Sequence, residues 1–310
     1  MSVVGQGDYR YELVDDWYHL PEGWVLAQTA VAVDSLDRVY LFNRSEHPMI
    51  VLDKDGQYLS SWGEGTLTSA HGLFLDAEEN LYLPVINSHC VYKCNRDGKN
   101  LMTLGTPGRT SDPDWASVGM EALGDPLTGD HGTHGPFTLP TDVAIAPDGS
   151  IYATDGYGNA RVHHFSSEGS LLESWGRPGR GDGEFCIPHG IWVHSDGRIF
   201  VVDRENNRIQ IFNMVGGFLD QWTGFSSPCD IFIDHDATVF VAEGASAAFS
   251  RNIANPEVFV RILDLEGRVL SRWPAPHGAG AHNIWADSEG SLYVNQNLEG
   301  DRLLKYRRVS

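Results

Sequence analysis

The chain has 310 residues, 41% hydrophobic and 11% aromatic, enough to bury one large β domain or two ordinary domains. Its 42 acidic and 22 basic side chains leave a formal charge of −20, which repels phosphate backbones and anionic lipid, so neither nucleic acid nor membrane is an expected partner. No stretch approaches the roughly 18 apolar residues of a spanning helix, and MSVVGQGDYRYELVDD lacks a cationic start followed by an apolar run. A cytoplasmic protein acting on a small molecule is the expectation.

In chain order, the first element is YRYELVDDW at residues 9–17, a strand with no neighbour in the adjoining sequence. A repeat then begins and runs to the end. Its copies start with TAVAVDSLDRVYLFNRSEHPMIVLDKDGQYLSSWG, HGLFLDAEENLYLPVINSHCVYKCNRDGKNLMTLG, TDVAIAPDGSIYATDGYGNARVHHFSSEGSLLESWG and HGIWVHSDGRIFVVDRENNRIQIFNMVGGFLDQW. CDIFIDHDATVFVAEG is continued after an insertion by VFVRILDLEGRVLSRW, and HNIWADSEGSLYVNQNLEGDRLLKY lacks a last strand. Each copy alternates β-forming runs with D-x-x-G-type turns, the pattern of a four-stranded antiparallel meander.

Equivalent first-strand positions are Val31, Leu73, Val143, Ile191, Ile231 and Ile284, which is the period of propeller blades. The sequence thus predicts an all-β, six-bladed β-propeller forming a single domain over 1–310. Its blades span about 27–63, 69–105, 140–176, 188–222, 228–273 and 281–306, the last completed by 9–17 so that no edge stays unpaired. A long connection at 106–139 and an insertion at 244–256 fall outside the repeat, and either suits a wall for a pocket. The four cysteines are too few for a disulfide framework. Cys90 and Cys94 lie on one strand, about 13 Å apart at 3.3 Å per residue, and are read as core residues that do not bond to each other.

Inner strands of a propeller run the same way along its axis, so one repeat position recurs at one height. That position holds Thr29, His71, Thr141, His189, Cys229 and His282. Histidine in alternate blades puts three rings roughly 120° apart, the donor set of an open Zn²⁺ site. With 13 histidines in the chain, chance fills three specified positions at odds on the order of one in ten thousand. The prediction is a metal site of His71, His189 and His282, holding zinc or another divalent ion. His131, His134, His163 and His164 lack the symmetry and are read as non-ligands.

The loop after the second strand returns to the same face of the ring. It carries Arg44 in FNRSEHP and Tyr157 in TDGYGNAR, both candidates to overhang the metal. DRENNRIQIF in blade four is dense in charge and is read as a solvated loop and strand.

Such blades resemble NHL repeats. PTDVAIAPDGSIYATDGYGNARVHHFSSEGSLLESWG, followed by FCIPHGIWV and VVDRENNRIQIF, resembles the peptidyl-α-hydroxyglycine α-amidating lyase family over essentially residues 25–306. The resemblance implies that the family's zinc histidines fall on His71, His189 and His282, its active-site arginine on Arg44 and its catalytic tyrosine on Tyr157. Three positions depart from it. Gly280 stands where the family has methionine, Gly158 where it has cysteine, and Asn283 where it has an aspartate that helps hold a structural Ca²⁺, so calcium is not expected.

These readings favour a zinc-dependent lyase that cleaves the C–N bond of a small carbinolamide-like substrate and releases a glyoxylate-like aldehyde. Tyr157 is the expected base and Arg44 the partner of a substrate carboxylate. Two alternatives stay open. One is a metal-dependent hydrolase using zinc-bound water on a small lactone, amide or aromatic substrate; the other is a non-catalytic NHL interaction propeller.

Overall fold

The computed structural model describes residues 3–27, 30–111, 136–244, 258–276, 280–297 and 302–309. The chain folds as a six-bladed β-propeller whose blades are antiparallel meanders. The described residues cluster into two compact units, Met1–Ala70 with Phe225–Ser310, and His71–Gly224. Among the described residues no helix is long and apolar enough to cross a membrane.

His71–Gly224 contains blades two, three and four. Blade three runs Asp142–Ile145, Ile151–Asp155, Arg161–Phe165 and Leu171–Trp175, and blade four Pro188–Val193, Ile199–Asp203, Arg208–Phe212 and Phe218–Thr223. Burial falls outward across each blade: Ile151–Asp155 is buried throughout, while Leu171 and Leu172 on the outermost strand are exposed. Blade two departs from the pattern, because its first strand is only Phe74–Leu75. The cause lies in Leu81–Val85, whose Pro84 has no N–H to donate to the ladder. His71 precedes the shortened strand but keeps the register, since its N–H donates to Pro84 O at 3.2 Å, as Thr141 N–H does to Thr154 O at 2.8 Å.

The other unit contains blades one, five and six. The orphan strand is found at Tyr9–Val14, paired with Arg302–Val309, and an unexpected strand, Val3–Gln6, pairs outside it. The sheet order is therefore Val3–Gln6, Tyr9–Val14, Arg302–Val309, Leu292–Asn297, Gly280–Ala286. Tyr11 anchors the closure, fully buried, with ring centroid 5.2 Å from Trp273. Ser271 Oγ adds to it by accepting Gln6 N–H at 2.9 Å and donating to Tyr9 O at 3.2 Å.

Two side-chain devices recur. At the end of the second strand a polar residue accepts an amide of the segment leading into its own blade: Asn43 from Ala27, Asp155 from Thr138 and Leu139, Asp203 from Cys186, Glu243 from Ser226. In the first strand a side chain reaches the next blade, as Asp142 Oδ2 accepts Ile191 N–H at 2.9 Å, Asp230 Oδ2 accepts Ile284 N–H at 3.0 Å, and Asn283 Oδ1 accepts Val31 N–H at 2.6 Å. Both satisfy backbone donors that burial would otherwise leave unpaired. All four cysteines are buried thiols outside any disulfide, Cys90 and Cys94 on the strand Cys90–Cys94.

Candidate active site

In His71–Gly224 the two histidines of blades two and four face each other, with ring centroids 4.7 Å apart. His71 Nδ1 lies 2.6 Å from Thr141 O, and a carbonyl can only accept, so Nδ1 carries the proton and Nε2 presents its lone pair. The hydroxyl of Tyr157 is 3.1 Å from His71 Nε2 and 3.0 Å from His189 Nε2. His71 and His189 are 2% and 3% exposed, so these contacts form out of bulk water, where charge and hydrogen bonding act strongly.

The sequence around Tyr157 explains its position. Its ring packs on Ile86 and Leu139. The glycines on either side of it are there for space: a Cβ at Gly156 would lie 2.1 Å from Pro188 O, and one at Gly158 would lie 2.3 Å from Thr138 Cβ. Gly156 thus presses the tyrosine loop onto the residue before His189, and Gly158 seats it on the entry segment of blade three.

A third contact corrects the sequence reading of DRENNRIQIF. That segment is not solvated: Arg204 is 3% and Glu205 4% exposed, and the strand Arg208–Phe212 is buried throughout. Arg204 Nη1 donates to Tyr157 O–H oxygen at 3.2 Å, and its Nε donates to Glu205 Oε1 at 3.1 Å. Arg204 opens a short 3-10 turn, Arg204–Asn206, whose first two amides reach back to Ile187 O at 3.2 Å and Cys186 O at 3.0 Å. Ile187, two residues before His189, holds φ at 61°, a conformation costly for a β-branched residue and maintained by these contacts.

Arg44 and His282 lie in the other unit. Arg44 is half-buried and donates through Nε to Ala70 O at 2.6 Å, the residue before His71 in the chain. His282 is 8% exposed on the inner strand Gly280–Ala286 of blade six. Beside it, Asn283 Nδ2 donates to Asp230 Oδ2 at 2.6 Å and its Oδ1 accepts Val31 N–H at 2.6 Å, so both polar atoms of the side chain are engaged with the neighbouring inner strands. His163 and His164 make structural contacts, His163 Nδ1 lying 2.7 Å from Ser174 Oγ and His164 stacked on Tyr152 at 4.2 Å. His131, His134, Thr29 and most of the two predicted insertions lie outside the described residues.

The sequence profile of the NHL repeat matches residues 137–165 and 185–212, and the chain is a propeller that carries this repeat. It is 31% identical to NHL repeat-containing protein 3 of Homo sapiens over 71% of this chain and 60% of that protein, so it spans less than two thirds of that relative. It is also 28% identical to the probable peptidyl-alpha-hydroxyglycine alpha-amidating lyase of Caenorhabditis elegans, over 83% of this chain and 69% of that one. Among solved structures, virginiamycin B lyase from Staphylococcus aureus shares the fold, with a TM-score of 0.63 at 13% identity over 96% of this chain and all (100%) of that one.

Proposed function

We propose that the chain is a metal-dependent lyase for small carbinolamide-like substrates, with His71, His189 and His282 as metal ligands, Tyr157 as base, and Arg44 and Arg204 as the cations of the site. The observation that carries the proposal is the Tyr157 hydroxyl, within hydrogen-bond distance of Nε2 on both His71 and His189 and of the Arg204 guanidinium. A phenol proton serves one ring nitrogen at a time, whereas lone pairs of buried imidazoles suit a borderline cation such as Zn²⁺. All three proposed ligands are buried, and each offers one ring nitrogen. The similarity to a protein named as an amidating lyase supports the same reading.

A divalent ion bound there would supply Lewis acidity toward an oxygen of the substrate. The remaining chemistry falls to side chains. Arg204 stabilises the phenolate of Tyr157, which takes the proton of the substrate hydroxyl. The oxygen's electron pair forms the new C=O bond, the C–N bond breaks, and the proton that Tyr157 took passes to the departing amide nitrogen. Arg44 offers a fork to a substrate carboxylate. Four cysteines that remain thiols suit a reducing, cytoplasmic setting for this activity.

The test pairs metal analysis with aldehyde release from α-hydroxyhippurate, which divides into benzamide and glyoxylate. Wild type is expected to hold about one divalent ion per chain and release glyoxylate, and His189→Ala to lose both. Label from ¹⁸O-water in an acid or alcohol product, as opposed to aldehyde exchange, moves the assignment to the hydrolase. No metal and no turnover in wild type favours a non-catalytic propeller.

A further inference from the structure

The loop that presents Tyr157 closes on a buried polar clamp with no part in the chemistry above. Asp155 is fully buried; its Oδ1 accepts Leu139 N–H at 2.6 Å and its Oδ2 accepts Thr138 N–H at 2.7 Å. Asn159, 1% exposed, donates through Nδ2 to Asp155 Oδ2 and, at 2.7 Å, to Ser111 Oγ. Its Oδ1 accepts the Thr138 hydroxyl at 3.3 Å, and its backbone N–H returns to Asp155 O at 3.1 Å. Residues 155–159 therefore form a closed turn with Tyr157 at its apex.

The clamp grips the surface on which Tyr157 rests. Leu139 packs against the phenol ring, and Thr138 is the residue that a Cβ at Gly158 would strike. The corresponding acid of blade four, Asp203, also takes a side-chain amide, from Asn206 at 2.8 Å, together with the Arg208 guanidinium at 2.7 Å, and Glu243 of blade five takes Arg261 at 2.6 Å.

We propose that Asp155 and Asn159 are positioning residues for Tyr157, holding Thr138 and Leu139 so that the phenol hydroxyl sits between the Nε2 atoms of His71 and His189. The inference rests on the reading of Tyr157 as base. A misplacement of about 1 Å costs on the order of a hundredfold in turnover when a reacting group must be aligned. Loosening the clamp should therefore move a rate before it moves the fold.

The experiment compares wild type, Asn159→Ala, Tyr157→Phe and the double variant with α-hydroxyhippurate, and records ¹³Cζ-tyrosine spectra of the metal-loaded proteins. Asn159→Ala is expected to lower kcat about 10- to 100-fold with KM within about twofold. In the Tyr157→Phe background the same change should lower kcat less than about twofold, because the two act as one unit. The resonance that Tyr157→Phe removes should shift in Asn159→Ala. Additive losses, an unchanged kcat or an unmoved resonance overturns the proposal. Should Asn159→Ala fail to fold, Ser111→Ala cuts one bond of the clamp and is judged by the same criteria. If Tyr157→Phe keeps full activity the reading of Tyr157 as base fails, while the resonance still reports separately on the clamp.

Discussion

Arg204 shows how one residue can be concealed by its neighbours. Charge-rich DRENNRIQIF looks like a solvated loop, and most charged side chains are exposed, so composition argues against burial. The signal that would have found it is the one that found the histidines. The polar residue that caps the second strand is Asn43, Asp155 or Asp203 in blades one, three and four, and the position after each holds Arg44, Gly156 and Arg204. Arg44 and Arg204 are thus one repeat position, legible without a structure. Buried beside Glu205, Arg204 also predicts a specific outcome. Arg204→Met should lower turnover on the order of a hundredfold, the usual loss of one donor to developing charge. It should also cost about 3 kcal/mol, because removing one member of a buried ion pair takes the guanidinium away from the Glu205 carboxylate. Adding Glu205→Gln should restore much of the urea midpoint and none of the turnover; if both return together, Arg204 acts on stability alone.

At the scale of strands and turns, the sequence was most legible where turn chemistry is repeated. Asp53 shows the basis: its Oδ1 accepts the amides of Asp55 at 2.9 Å and Gln57 at 2.8 Å, and Gly56 takes φ of 82° to close the turn. The first turns of blades one, two and five put Asp37, Glu79 and Ala237 at that left-handed position, with φ of 58°, 62° and 63°. The D-x-x-G pattern still reads through them because the leading aspartate does the hydrogen bonding. Alanine bears a steric cost in the left-handed region that glycine does not, so Ala237→Gly should raise unfolding free energy by about 1 kcal/mol, measured by urea titration. A loss on this substitution would mean that the turn does not hold Ala237 in the left-handed region. What the pattern did not reveal was the length of strands: Pro84 truncates the first strand of blade two, and Val3–Gln6 carries too weak an alternation to be read as a strand. Both depend on which neighbour pairs with which, and that is tertiary information.

For the whole molecule, the repeat specified the six-bladed fold and placed Tyr157 on its loop. Periodicity could not show that the tyrosine touches two histidines and an arginine, because rotamers and the close approaches of Gly156 and Gly158 decide that. Electrostatics act at this largest scale as well. With a formal charge of −20, ionising another buried carboxylate is unfavourable over and above its desolvation. Burial pushes Asp230 up to about 7 and Asp203 up to about 6. A raised carboxylate pKa means that the unfolded chain binds fewer protons than the folded one between the ordinary value near 4 and the raised value. Stability attributable to Asp230 is therefore greatest at the acid end of that window, falls as pH rises through it, and levels off above about 7. Asp230→Asn, with its amide oxygen turned toward Ile284 N–H and Asn283 Nδ2, keeps both hydrogen bonds and removes the titration. The difference in urea midpoint between the variant and wild type, in chelator so that metal binding does not contribute, isolates this residue from the histidines. The variant should gain on wild type steadily from pH 5 to pH 7 and hold that gain to pH 8. A difference independent of pH would mean that Asp230 is ionised in the folded chain throughout, and that its charge is carried by a neighbouring cation.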